Sequence, residues 1–149
     1  MKPIQTYGLA LLAVLLLAVP AYAQGPDEGH GGRPLTATLS GAEEVPGPGD
    51  EDGSGSATFR LNPGQEEICY DLTVSAIAPA TAAHIHRGGA GTNGPPVVTL
   101  EAPADGSSSD CVGAERDLVV EILQNPASFY VNVHNDEFPP GAVRGQLSK

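Results

Sequence analysis

Two histidines stand one residue apart in the segment AAHIHR, residues 82–87, directly before a glycine-rich loop. Alternate side chains of a strand share one face and lie roughly 7 Å apart, so His84 and His86 can reach a single metal ion. The imidazole of His134, in SFYVNVH (128–134), would complete a set that suits copper or zinc and leaves one coordination position open. The sequence therefore predicts a transition-metal site at these three histidines.

The residues beside the histidines support a common, outward face. Ile85 and Val133 are apolar and occupy the inward positions of their segments, which turns the neighbouring imidazoles away from the core. The same alternation places Asn132 and Arg144 outward, and we expect both to surround the ion without binding it. Because the sequence does not order the strands, the alternative is that the histidines face water or bind a loop separately.

Seven segments have the alternation or the composition of strands, and the turns between them are rich in Gly, Pro, Asn and Asp. The segments are 35–40, 56–62, 67–77, 82–87, 96–100, 128–134 and 142–148. Within 115–126 the apolar residues recur instead with helical spacing, which predicts one short helix near 116–124. The pattern predicts an all-β fold, either an antiparallel β-sandwich or a closed barrel.

The first 23 residues have the composition of a secretory signal peptide. Lys2 precedes an apolar run at 9–19, and the tripeptide AYA at 21–23 supplies small residues for cleavage. The run is too short to span a bilayer, so we expect a secreted or periplasmic chain without a membrane span after cleavage. Residues 24–34 are then a flexible tail, and 35–148 are a single domain.

Composition narrows the range of partners. Removing the leader with its Lys2 takes the net charge from −11 to −12, and such an acidic surface repels nucleic-acid backbones and anionic lipid. The remaining chain is long enough for one core. Cys69 and Cys111 are the two cysteines, and export to an oxidising compartment predicts a disulfide between them.

Other candidate sites are weaker. The acidic stretch 43–56 lacks the spacing of a calcium loop, and we expect a solvated turn there. Glu43 and Glu44 are adjacent, so they point apart and form no acid–base pair. Ser107–Ser109 lie in a linker-like composition without the context of a catalytic nucleophile. We therefore do not expect hydrolytic chemistry.

Four blocks of the chain together resemble the CHRD domain, which is named after chordin and also occurs in bacterial secreted proteins. They are LTATLSGAEEVP (35–46), GSATFRLN (55–62), TAAHIHRGGAGTNGPPVV (81–98) and FYVNVHNDEFPPGAVRGQL (129–147). The resemblance implies an extracytoplasmic all-β domain similar to an immunoglobulin-like sandwich, and it implies no particular activity. Two positions depart from the pattern: Asn135 replaces the usual Thr, and Ala142-Val143 replaces a frequent Glu-Ile, which removes an acidic partner for a histidine or Arg144.

A second resemblance concerns the site alone. Copper–zinc superoxide dismutases are sandwiches of similar architecture, and their copper is bound by an outward-facing His-x-His strand and a late histidine, with an arginine nearby. His84, His86, His134 and Arg144 occur here in the same order, although the zinc loop has no counterpart. This resemblance implies a copper-only dismutase in which Arg144 attracts superoxide.

Three interpretations of function follow from these observations. The first is a binding module that holds copper or zinc through the three histidines. The second is the copper dismutase. The third is a metal-free matrix or interaction module, whose protein or glycan partner is unknown.

Overall fold

A computed structural model describes residues 31–149, so the predicted leader and most of the predicted tail lie outside the described residues. The strands are β1 Arg33–Ser40, β2 Ser54–Asn62, β3 Glu67–Ser75, β4 Ala80–Arg87, β5 Pro96–Leu100, β6 Ser107–Gly113, β7 Phe129–Asn135 and β8 Val143–Gln146. The helix α1, Arg116–Gln124, lies between β6 and β7, where the periodicity predicts it.

All strand pairs are antiparallel, and they form one sheet in the order β5-β4-β7-β8-β1-β2-β3-β6. In the middle, β8 joins β1 through a short pairing that includes Arg144 and Ser40. The edges approach each other where Ser108 Oγ, in β6, donates a hydrogen bond to the carbonyl of Glu101, just after β5 (2.8 Å). The sheet is thus nearly closed, and the predicted all-β antiparallel fold is confirmed.

The inner faces of the strands form one hydrophobic core. Its fully buried side chains include Leu35, Leu39, Phe59, Leu61, Ile68, Leu72, Ile85, Val131 and Val133. Helix α1 adds Val119, Ile122 and Leu123 to this core. Because each strand buries alternate residues, the core also determines which side chains of β4, β7 and β8 point outward. No helix within residues 31–149 is long and apolar enough to cross a membrane.

Strand β6 differs from the prediction for its segment. Ser107–Ser109, predicted to be a linker, instead begin an edge strand that pairs with β3. Pairing with a neighbouring strand decides the structure of this segment more than its composition does, and a covalent bond adds to that pairing. Cys69 and Cys111 lie directly opposite each other and form the predicted disulfide.

Candidate metal-binding site

The strands that carry the three histidines are neighbours in the sheet. β4 pairs with β7 so that His84 lies opposite Asn132, and His86 and His134 are the next outward residues on their strands. β8 extends the same row, with Arg144 opposite Asn132. The outward face predicted from the alternation is therefore a single continuous surface that carries all five side chains.

The three imidazoles converge on one point. His84 Nδ1 and His134 Nε2 are 3.2 Å apart, and one nitrogen of each ring, including that of His86, lies within 4.8 Å of the others. Two nitrogens that bind one zinc ion tetrahedrally at about 2.0–2.1 Å are themselves about 3.3 Å apart. The His84–His134 pair therefore already has the separation that a shared ion requires.

Backbone carbonyls determine which nitrogen of two rings is free. His86 Nδ1 lies 2.8 Å from the carbonyl of Gly94, and His134 Nδ1 lies 3.0 Å from that of Pro139. A carbonyl oxygen only accepts hydrogen bonds, so each Nδ1 carries the proton and each Nε2 keeps its lone pair. Metal-binding histidines are usually oriented by such a contact on the other ring nitrogen. Two of the three rings are thus held as ligands before any ion arrives.

The triad has a buried and an open side. His86 is 8% exposed, stacks on Tyr130 with ring centroids 4.8 Å apart, and has no hydrogen-bond partner for Nε2 within the described chain. His84 and His134 are partly exposed and border a shallow groove next to Asp136. An ion would therefore enter from the groove, and its open coordination position would face solvent.

The environment keeps two of the histidines neutral. Burial is the main cause that lowers the pKa of His84 below its ordinary 6.5, and the charges of His134 and His86 lower it further. Burial also lowers the pKa of His86, although its hydrogen bond to Gly94 acts in the opposite direction. An imidazolium must lose a proton before it can bind a metal, so the lowered pKa values of both rings favour metal binding at neutral pH.

The two groups predicted to surround the ion, Asn132 and Arg144, continue the row of His84 across β7 and β8 and are buried. Arg144 is 1% exposed, and its guanidinium carbon lies 3.4 Å from the centre of the Tyr130 ring. Arg144 Nη2 donates hydrogen bonds to the carbonyl of Gly89 (3.0 Å) and to Gln146 Oε1 (2.9 Å). Asn132 is 3% exposed. Arg144 thus anchors the glycine-rich loop, and attraction of superoxide stays a prediction.

Glu44 is a candidate that the sequence analysis missed. It is 5% exposed, whereas Glu43 is exposed, so the predicted solvated turn is wrong at this residue. A side chain at Gly141 would overlap the Glu44 carboxylate, so the glycine makes room for it. Burial raises the pKa of Glu44 to about 7 against the opposing effects of Arg144 and Asn132. The sequence indicates that the adjacent residues Glu43 and Glu44 point apart, but it does not show which of the two faces inward.

Comparison with known proteins identifies one family. The family model of the CHRD domain matches residues 35–147, a range that contains the triad, Glu44 and Arg144. No curated protein and no solved structure matches the chain. These comparisons give no support to the resemblance to copper–zinc superoxide dismutases.

Proposed function

The chain belongs to the CHRD domain family, and on this premise we propose that it is a binding module whose ligand is one copper or zinc ion. His84, His86 and His134 would hold the ion. Imidazole suits both metals, and three protein ligands leave a position for water or a further ligand.

One observation carries this proposal above all. The protons of His86 and His134 are fixed on Nδ1 by the Gly94 and Pro139 carbonyls, and the free nitrogen of His134 faces His84 at 3.2 Å. Three surface histidines that only interact with water need neither this convergence nor a buried ring without a partner for Nε2. A metal ion would bind His86 Nε2 and His134 Nε2, and it would take the place of the proton in the contact between His134 and His84 Nδ1.

We further propose that the module acts outside the cytoplasm. The Cys69–Cys111 disulfide supports this location, because such bonds persist in oxidising compartments. CHRD membership is in line with an extracellular domain. The predicted leader at residues 1–23 is consistent with the same location.

The test is a metal titration of the purified protein after treatment with a chelator. Cu²⁺ and Zn²⁺ are titrated into the wild type and into His134→Ala, with His30→Ala as the matched control because it removes a histidine outside the triad. We expect one ion per chain in the wild type and the control. Removal of a group that only hydrogen-bonds a metal ligand weakens metal binding by up to about 100-fold. Removal of a direct ligand in His134→Ala should therefore weaken binding by at least about that factor. Equal binding by His134→Ala, or no specific binding by the wild type, would show that the proposal is wrong.

A further inference from the structure

Four buried polar atoms within residues 31–149 have no hydrogen-bond partner, and they belong to side chains that lie together. The atoms are Glu44 Oε1, His86 Nε2, Asn132 Oδ1 and Arg144 Nη1. Each of these side chains is more than nine-tenths buried. Unpartnered buried polar atoms are rare in native proteins, and each one calls for an explanation such as a bound ion or a functional role. Four of them in one cluster indicate a site.

The cluster connects Glu44 to the histidine triad. Asn132 is close enough to Glu44 and to His86 to affect the pKa of each, and the charge of Arg144 acts on both. Asn132 and Arg144 are opposite each other on β7 and β8. Glu44 is therefore separated from a proposed metal ligand, His86, by one side chain.

Several ionisable groups surround Glu44. Arg144 faces it from β8, and His86 lies beyond Asn132 on the β4 side, followed by the other two histidines. Its own segment contributes Glu43, which is exposed, and Asp50, which is half-buried. Among residues 31–149, Arg144 is thus the cation that acts directly on Glu44 in the metal-free protein.

Burial and a metal ion at the triad would favour opposite ionisation states of the Glu44 carboxyl. A buried carboxylate without a full set of hydrogen bonds is costly, so Glu44 is favoured in its neutral, protonated form. The pKa of about 7 is in keeping with this argument. A divalent ion at the triad would bring two positive charges into the same poorly solvated region, and that change favours the ionised carboxylate.

We propose that Glu44 is the proton-exchanging group of the metal site, which releases its proton when an ion binds at the histidines. The O–H bond of the carboxyl breaks, the proton leaves to the buffer, and the electron pair stays on the carboxylate. Its negative charge then compensates the ion across Asn132 and Arg144. This inference rests on the proposed metal site and adds a regulation by pH to it. Glu44 is a positioning residue here, since it acts on the ion through its charge.

The experiment measures Cu²⁺ affinity and proton release together between pH 6 and 8.5. It compares the wild type with Glu44→Gln, and Glu43→Gln is the matched control because it removes the same charge from the exposed neighbour. If the ion lowers the pKa of Glu44 by one unit, the wild type binds about tenfold more tightly than Glu44→Gln at pH 8.5. That advantage shrinks towards pH 6, and near pH 6.5 the wild type releases about half a proton more.

Each outcome has a defined consequence. Glu43→Gln should behave as the wild type. If Glu44→Gln binds Cu²⁺ with the same pH dependence and proton count as the wild type, the inference is wrong and the metal site stands. If the wild type binds neither Cu²⁺ nor Zn²⁺, both proposals are wrong.

An infrared difference spectrum of the wild type tests the same step without any substitution. Cu²⁺ should remove the band of a protonated carboxyl and increase that of a carboxylate. A spectrum without this exchange would overturn the inference even if Glu44→Gln failed to fold.

Discussion

The three histidines of the triad differ in what holds them. His86 and His134 each donate Nδ1–H to a carbonyl oxygen, whereas Nδ1 of His84 faces His134 Nε2. In the metal-free protein, one proton must therefore sit between His84 and His134 for that contact to be a hydrogen bond. An ion would replace this shared proton. The identity of each residue was visible in the sequence, but these tautomers depend on loops that only the fold brings near.

The raised pKa of Glu44 predicts how the folding stability of the metal-free protein changes with pH. In the unfolded chain its pKa is near 4.5, and in the folded protein it is about 7. Between these values the folded protein keeps a proton that the unfolded chain has lost, so the stability from this group falls as pH rises from 4.5 to 7 and stays low above 7. Glutamine cannot ionise, so Glu44→Gln should be more stable than the wild type at pH 8, by up to about 3 kcal/mol.

Urea denaturation of the chelator-treated protein at pH 4.5 and pH 8 measures this difference. The two proteins should have similar stability at pH 4.5, where the carboxyl is largely protonated in the folded protein. Glu43→Gln should change stability by no more than about 0.5 kcal/mol at either pH, because the residue is exposed. A Glu44→Gln protein that is less stable than the wild type at pH 8 would show that Glu44 is ionised and well paired.

At the scale of elements, the glycine-rich loop after β4 holds the buried half of the site. Tyr130 OH donates to Asn93 Oδ1 (3.0 Å), and Gln146 Nε2 donates to the carbonyl of Gly88 (3.1 Å). With the Arg144 and His86 contacts, these bonds connect the loop to all three strands of the site. The loop therefore sets the orientation of His86 through its own backbone.

Substitution of Gly94 should reveal this role of the loop. A Cβ atom at Gly94 would overlap the carbonyl of Arg87, so Gly94→Ala must displace the carbonyl that accepts the His86 proton. Loss of such an orienting contact should weaken metal binding by about 10–100-fold. Gly89→Ala is the control, because its Cβ would meet the carbonyl of Ala127 only at 3.9 Å. Unchanged Cu²⁺ affinity in Gly94→Ala would mean that the loop does not orient His86.

The disulfide lies between β3 and β6, in the half of the sheet that does not carry the triad. Its removal should therefore lower the stability of the fold without changing metal affinity. Cys69 and Cys111 are 42 residues apart, and closing a loop of this length stabilises the folded protein by about 4 kcal/mol in the chain-entropy account. The double Cys→Ala variant should lose about that much in urea denaturation, and amides of β6 should exchange faster with solvent. Its Cu²⁺ affinity should stay at the wild-type value while it is folded. A parallel loss of affinity would show that the two halves are coupled.

Local periodicity accounts for most of the elements but for little of their arrangement. Alternation located seven of the eight described strands, and helical spacing located α1 with its bounds. It missed β6, because the serines of that strand are held by pairing with β3. It did not place β4 beside β7, since strand order depends on contacts between residues about 50 positions apart, such as His84 and His134. Glu44 was missed for the same reason: its burial depends on Gly141.

For the molecule as a whole, the site occupies the outer face of a sheet whose inner face carries the core. The hydrophobic packing therefore does not depend on the ion, because the core cluster within residues 31–149 lies on the inner face. The acidic surface, with a net charge of −11 for the whole chain, attracts cations without selecting any of them. Binding at the triad must accordingly be distinguished from this general attraction. The effect of the ion on the stability of the entire fold makes that distinction.

An ion that binds only the folded protein must stabilise it. At a free concentration 100 times the Kd this gain is about 2.7 kcal/mol, which for a domain of this size is about 10 °C in Tm. Thermal denaturation with and without Zn²⁺ should show that shift in the wild type and His30→Ala, and at most about 2 °C in His134→Ala, whose affinity is at least about 100-fold lower. Because general attraction by acidic side chains is weakened by salt, the shift should also persist in 0.5 M NaCl. A shift of equal size in His134→Ala, or one abolished by salt, would place the ion on the acidic surface and leave the triad without a ligand.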